Sequence, residues 1–186
     1  KMIDISTDYV FPGKGDGFYE VNDQTSPINV YGQTKLAGEY AVKDYISKYF
    51  IVRISWVFFF FFNNFIKTML RLGTEKKELN VVGDQVGSPT YTADLAVLLC
   101  DMIITDKYGV YHATNEGACS WAEFAEEIFK QADLKVKVNY ISSDDYQTKA
   151  KRPKNSRLSK SELEKNGFEK LPSWQDALKR YLLELQ

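Results

Sequence analysis

The sequence predicts an α/β fold built on a parallel sheet, and three observations carry that prediction. Stretches of helical periodicity alternate with short apolar runs along the 186 residues, the order expected when helices cover a sheet. Residues 50–57 are rich in apolar side chains, as in a parallel strand covered on both faces. Ser-x-x-Glu and Ser-x-x-Asp patterns at Ser120, Ser159 and Ser173 mark helix starts.

In chain order, residues 1–6 alternate and stop at Thr7-Asp8, a strand running into a polar loop. Pro12, Gly13, Gly15 and Gly17 keep the chain in loop through Ser26-Pro27. Residues 31–48 follow helical spacing, with Ala37, Ala41 and Tyr45 on one apolar stripe and Leu36 and Tyr40 beside it. After the strand at 50–57 come a helix at 64–72, a short strand at 79–82, a helix at 92–104 and a strand at 109–113. The capping box at Ser120 opens a helix with Trp121, Phe124, Ala125, Ile128 and Phe129 on one face. Val136 and Val138 mark another strand, and the last helix buries Trp174, Ala177, Leu178, Tyr181 and Leu182. The chain shows no internal repeat and no linker that divides it.

Composition narrows the function classes. Hydrophobic residues at 44% and charged residues at 26% allow a proper core at this length, one domain or one and a fraction. With 24 basic and 25 acidic residues, the net charge of −1 supplies no field to draw nucleic acid or an anionic membrane. An anionic ligand must therefore be held by a few placed cations. Two cysteines, Cys100 and Cys119, and a single histidine, His112, cannot assemble a zinc site. Cys100 closes an apolar run and is expected as a buried thiol in a reducing compartment; His112, in a strand, is expected to be structural. The apolar run 56–62 is too short for a membrane span of ~20 residues. No signal peptide is visible, so a cytoplasmic protein is expected.

Two segments carry chemistry. Ser6-Thr7-Asp8-Tyr9-Val10-Phe11 ends a strand, and Tyr31-Gly32-Gln33-Thr34-Lys35 opens a helix. Tyr31 and Lys35 are four residues apart and share a helix face. A phenol with a pKa of about 10 is a poor acid–base catalyst at neutral pH. A neighbouring ammonium stabilises the phenolate and brings that value toward the working range. A strand-end hydroxyl such as that of Thr7 can donate to a carbonyl oxygen. Carbonyl reduction needs these parts, with the hydride supplied by a cofactor. By itself Tyr-x-x-x-Lys is a weak signal, since such pairs occur on many solvated helix faces.

The longer strings raise it. Ile-Ser-Thr-Asp-Tyr-Val-Phe and Asn29-Val30-Tyr31-Gly32-Gln33-Thr34-Lys35-Leu36-Ala37-Gly38-Glu39 are joined by Val52-Arg53-Ile54-Ser55-Trp56-Val57-Phe58 and Asn63-Asn64-Phe65. Asp84-Gln85-Val86-Gly87-Ser88-Pro89-Thr90-Tyr91-Thr92 and Arg152-Pro153-Lys154-Asn155-Ser156-Arg157-Leu158 complete the set. Together they resemble the dTDP-4-dehydrorhamnose reductase branch of the extended short-chain dehydrogenase/reductase family, in order and over essentially the entire chain.

The resemblance implies a partial Rossmann-type parallel sheet lacking its N-terminal βαβ units, plus a small α/β substrate-binding part. Residues 1–60 and 84–115 would be the remaining half of the nucleotide-binding domain, and 61–83 with 116–186 the substrate-binding part. It implies NADPH- or NADH-dependent reduction of the 4-keto group of dTDP-4-dehydro-L-rhamnose. Tyr31 would protonate the C4 oxygen, Lys35 would support Tyr31 and hold the nicotinamide ribose, and Thr7 would orient the keto group. Asp8, Tyr9, Trp56 and Asn64 match positions at the sugar. Arg152 matches a cation against the diphosphate, a task suited to its planar fork. Trp56 reads equally as a core aromatic, and Arg152 also reads as a solvated charge in the basic stretch that begins at Lys149. The partners implied are a dTDP-sugar and, as in some relatives, a second copy of the chain. Mg²⁺ accompanies some of those relatives, but no residue pattern here supports it.

The sequence departs from this family twice. The strand-GxxGxxG-helix turn that holds the cofactor pyrophosphate is absent from residues 1–186. The chain reads as starting at a strand from the middle of the family's sheet, and poor binding of nicotinamide cofactor is expected of it. Secondly, Phe58-Phe59-Phe60-Phe61-Phe62 stands where relatives have an aromatic residue and a glycine-containing loop. Two other readings stay open. One is a non-catalytic member resembling the regulatory subunit of methionine adenosyltransferase, against which the intact Thr7, Tyr31 and Lys35 speak. The other is a nucleotide-sugar epimerase or dehydratase, which commonly carries further acid–base residues beside the threonine.

Overall fold

A computed structural model describes residues 1–146 and 150–185. Lys149, at the head of the basic stretch, lies outside the described residues. The first elements are β1 (Met2–Thr7), running into a 3-10 turn at Asp8–Val10, then α1 (Val30–Tyr45), β2 (Tyr49–Ile54) and β3 (Val57–Phe58). Next come α2 (Phe65–Glu75), β4 (Glu78–Val82), β5 (Val86–Gly87), β6 (Thr90–Tyr91), α3 (Thr92–Ile103) and β7 (Gly109–His112). The chain continues with β8 (Cys119–Ser120), α4 (Trp121–Gln131), β9 (Lys137–Ile141), β10 (Asn155–Ser156), α5 (Ser161–Lys165) and α6 (Trp174–Glu184).

The main sheet is parallel, in the order β1-β2-β7, with Ser6 opposite Arg53 and Arg53 opposite His112. β4 and β9 pair in parallel as a second sheet, while β5 lies between β10 and β8. Three hydrophobic clusters form among the described residues, the smallest joining Val10, Phe11 and Leu158. Of the larger two, one packs Phe50 and Val52 of β2 with Leu95, Leu98 and Met102 of α3. The other gathers Ile66, Met69, Phe124, Ile128, Trp174 and Tyr181 between α2, α4 and α6. Each fully buried large apolar side chain contributes roughly 1.5–3 kcal/mol. Arg180 of α6 holds both carboxylate oxygens of Asp94 at 2.7 and 2.8 Å, tying α6 to α3. No helix among the described residues is long and apolar enough to cross a membrane.

Local signals place the helix starts well. Ser120 and Glu123 make the complete capping box, and Ser173 accepts from the Asp176 amide. Ser159 does not cap α5; its hydroxyl accepts from Ser161 N while Lys160 occupies the cap position.

Three further expectations are corrected. On α1, the stripe Ala37, Ala41 and Tyr45 faces outward, with Tyr45 85% exposed, and Gly32, Glu39 and Val42 are the buried positions. Periodicity misleads there because buried Glu39 is compensated by Arg53, a partner on another strand. Cys100 is exposed and Cys119 is the buried thiol, since α3 turns Leu95, Leu98 and Met102 inward instead. The apolar run 50–57 is not one strand. β2 stops at Ile54, Trp56 adopts φ 48°, and the chain resumes as β3.

Candidate active site

β1 ends at Thr7, where extended backbone gives way to the turn Asp8–Val10. The turn forms because the Thr7 hydroxyl accepts from Tyr9 N at 3.2 Å, satisfying an amide that the turn leaves unpaired. The same hydroxyl donates to Asp8 Oδ1 at 3.0 Å. Asp8 is buried, and burial lifts its carboxyl to about 6, while the hydroxyls of Ser156 and Thr7 pull it back down. Burial also raises the Tyr9 phenol, with the Asp8 charge adding to the rise and Arg152 opposing it.

α1 approaches this turn closely at its N-terminus. Asn29 caps the helix by accepting from Gly32 N at 2.8 Å. A Cβ at Gly32 would lie 2.2 Å from Tyr9 O, so only glycine lets the helix start lie against the turn. Tyr31 is then carried to Tyr9: the two rings meet edge-on, with centroids 5.6 Å apart. Tyr31 stays 54% exposed. One turn further on, Lys35 Nζ lies 4.0 Å from Asp4 Oδ1 of β1. Thr7, Tyr31 and Lys35 thus gather around β1 and the turn that ends it, Lys35 reaching toward the middle of the strand.

The other candidate residues are distributed differently. Trp56 stacks on Trp121, centroids 3.6 Å apart and planes within 9°. Its indole passes so close to Gly87 that a Cβ there would meet Trp56 Cε2 at 2.8 Å. Trp121, Phe65 and Val81 line a cleft of about 260 Å³ that ends at Arg152. A second cleft, about 510 Å³, shares Gln85, Ser143 and Arg152 with the first and adds Lys14, Lys151 and Lys154. Lys154 is held by Asp84 at 3.0 Å and Asp144 at 3.3 Å, whereas Arg152 has no ion-pair partner among the described residues. Neither cleft is lined by Thr7, Tyr31 or Lys35. Asn64 stands apart. Its side chain caps α2 through Lys67 N at 3.0 Å and donates to Phe59 O and Tyr181 Oη, so the fold uses its polar atoms.

Behind α1 lies a buried polar chain. Glu39 accepts from Arg53 Nε at 2.8 Å and Nη2 at 2.7 Å, and the Ser6 hydroxyl donates to Glu39 Oε1. Arg53 Nη1 donates to Val21 O at 3.1 Å, and the Arg53 guanidinium lies over the Phe11 ring. His112 completes the chain, its Nδ1 3.1 Å from Ser159 O. Burial and the Arg53 charge push His112 down to about 3, so the imidazole is neutral and structural. Sequence reasoning missed Glu39, Arg53, Ser156 and Lys14. The first two sat in motifs but had no local reason to be buried, and Lys14 lies 138 residues before Arg152 in sequence.

The loop after β3 answers the question raised by the phenylalanine run. Phe58 is buried, but Phe60, Phe61 and Phe62 are 45%, 68% and 81% exposed. Phe62 takes φ 63°, a left-handed conformation that favours glycine. From Phe59 onward the run is a loop, not a buried strand.

Comparison with known proteins gives the chain its family. Residues 1–186 match the family described as the RmlD substrate binding domain. The chain is 43% identical to a dTDP-4-dehydrorhamnose reductase of Escherichia coli strain K12, over 99% of this chain and 65% of the relative. It is 40% identical to the spore coat polysaccharide biosynthesis protein SpsK of Bacillus subtilis, over 99% of this chain and 64% of that protein. Among solved structures, a Bacillus anthracis dTDP-4-dehydrorhamnose reductase in complex with NADP superposes with a TM-score of 0.94. That pair is 48% identical and covers 98% of this chain and 65% of the other. A Clostridium acetobutylicum dTDP-4-dehydrorhamnose reductase gives 0.95 at 43% identity, covering 99% and 65%. The chain therefore spans about 65% of the length of the curated relatives it matches. With the match running from the first residue to the last, this chain belongs to the RmlD substrate-binding domain family.

Proposed function

We propose that this chain carries the proton-transfer and sugar-holding groups of an NADPH- or NADH-dependent reductase. The substrate is the 4-keto group of dTDP-4-dehydro-L-rhamnose and the product dTDP-L-rhamnose, a precursor for polysaccharide. One observation carries the reading: Tyr31 is brought edge-on to Tyr9, whose amide donates to the Thr7 hydroxyl, with Lys35 one helical turn behind Tyr31.

The residues fit the nicotinamide end of the cofactor. Tyr31 and Lys35 stand beside β1, an edge strand of the main sheet among the described residues. Asp4 Oδ2 is buried there with no hydrogen-bond partner. The residues do not fit the pyrophosphate, because no GxxGxxG turn occurs in residues 1–186. When bound, the cofactor supplies the hydride. Tyr31 gives its phenolic proton to the carbonyl oxygen, and Lys35 supports the phenolate that remains. Thr7 holds the oxygen in line. Asp8, Tyr9 and the Trp56–Trp121 stack shape the sugar's surroundings. Arg152, with Lys14 and Lys151, meets the diphosphate with charge-assisted hydrogen bonds. By the same account residues 1–186 by themselves bind NADPH poorly, and micromolar binding by calorimetry refutes that part.

The test is Tyr31→Phe in the full-length protein. Turnover of the dTDP-sugar should fall by about 10²–10⁴, the usual worth of a positioned acid–base group. Near-normal turnover ends the assignment.

A further inference from the structure

A hydroxyl has one proton to donate and two lone pairs to accept with. Thr7 donates its proton to Asp8 Oδ1 and accepts from Tyr9 N, which leaves it a single free lone pair. In that state it can receive a hydrogen bond from an alcohol but cannot give one to a ketone. Carbonyl polarisation, the role assigned to Thr7 above, therefore requires the Asp8 bond to reverse. The carboxyl is built for that. Asp8 is 3% exposed, and its Oδ2 has no hydrogen-bond partner.

We infer that Asp8 is a positioning residue that sets the direction of the Thr7 hydrogen bond. When Asp8 takes a proton from solvent, its O–H donates to Thr7 Oγ1 and the Thr7 proton turns to the ketone. When Asp8 is ionised, Thr7 is an acceptor and suits the alcohol product. This inference rests on the reading that Thr7 faces the reacting oxygen.

The surroundings favour a carboxyl that switches near neutrality. The groups facing it are the hydroxyls of Thr7 and Ser156, the Tyr9 phenol, and, beyond that phenol, Arg152 and Tyr31. From α1, Lys35 is turned to Asp4 and Glu39 to Arg53 and Ser6. No cation among the described residues pairs with Asp8, so burial dominates and moves its titration up to about 6. Ser156 is fixed in β10 by its pairing with Gly87 of β5. Its hydroxyl draws the titration down.

The experiment measures kcat/KM between pH 5 and 8 in both directions on the full-length protein, wild type and Asp8→Asn. For ketone reduction the wild type should lose about tenfold per pH unit above the Asp8 titration. Asp8→Asn should be flat over the same range, because its amide donates to Thr7 at every pH. The alcohol oxidation should not show the wild-type loss. If Asp8→Asn keeps the pH-dependent loss, the inference is overturned. Thr7→Val separates the two readings. Loss of turnover in Thr7→Val together with a retained pH limb in Asp8→Asn defeats the switch alone, whereas unchanged turnover in Thr7→Val defeats the role of Thr7 as well. Carbon-13 NMR of the Asp8 carboxyl gives a readout independent of activity. The midpoint should rise in Ser156→Ala, and a wild-type midpoint near the ordinary aspartate value of about 3.9 overturns the inference.

Discussion

Glu39 and Arg53 close on each other through two hydrogen bonds of 2.8 and 2.7 Å, with their side chains 0% and 2% exposed. Glu39 lies one turn beyond Lys35 and two beyond Tyr31, so the pair anchors to β2 the helix that carries both.

That arrangement sets the cost of breaking it. Glu39→Leu alone strands the Arg53 guanidinium and should destabilise the protein by about 3–5 kcal/mol. Adding Arg53→Met removes the stranded charge, and the double variant should recover most of the loss. Urea denaturation of the single and double variants reads this directly. A double variant as unstable as the single one would show that the pair is not a buried electrostatic unit.

Gly32→Ala tests the close approach of α1 to the Asp8–Val10 turn. The added methyl would meet a backbone oxygen, Tyr9 O, which has no rotamer with which to move away. Overpacking of this kind costs about 1–3 kcal/mol. Turnover should fall with stability, because the same shift carries Tyr31 away from Tyr9. Unchanged melting temperature and turnover would contradict the geometry.

Two buried groups oppose each other in acid. His112 is held down to about 3, so as pH falls from 6.5 the unfolded chain takes a proton that the folded one refuses. Its contribution to stability is present above 6.5 and is lost at about 1.4 kcal/mol per pH unit below it. Asp8 is raised from 3.8 to about 6, so between those values the folded protein takes the proton first and gains stability as pH falls. The two effects offset between pH 6 and pH 4. Asp8→Asn should unmask the histidine, giving a steeper acid loss than wild type in denaturant titrations from pH 7 to 4. Parallel curves for the two proteins would rule this out.

The phenylalanine loop makes a prediction of its own. Phe62→Gly relieves the left-handed backbone and should stabilise the protein by roughly 1 kcal/mol. Replacing residues 59–62 with a glycine-containing polar loop also removes the exposed Phe60 and Phe61, a β-prone apolar window. Light scattering at high concentration should drop. Unchanged scattering would show that these rings do not drive association.

What was legible in the sequence follows from how local each signal is. Ser120 and Glu123 name a helix start because the box is closed within one turn. Trp174, Ala177, Leu178 and Tyr181 are buried because their spacing alone gives α6 an apolar face. Thr7 at a strand end and Tyr31 with Lys35 on one helix face were readable for the same reason. The α1 stripe was misread because Glu39 is buried only on account of Arg53, fourteen residues away on β2. The basic cleft joins Lys14 to Arg152, and the Trp56–Trp121 stack joins β3's approach to α4.

By itself the sequence determined the order of the main helices and strands, the caps at Ser120 and Ser173, and the placing of Tyr31 and Lys35 on one helix, all of which depend on neighbours within a few residues. Only the tertiary structure decided which polar side chains lie inside, how Asp8 comes to face Ser156, and where Arg152 stands. Those are set by desolvation and by charges brought together from distant strands. No periodicity encodes them, because their energy depends on a partner that the local chain does not contain.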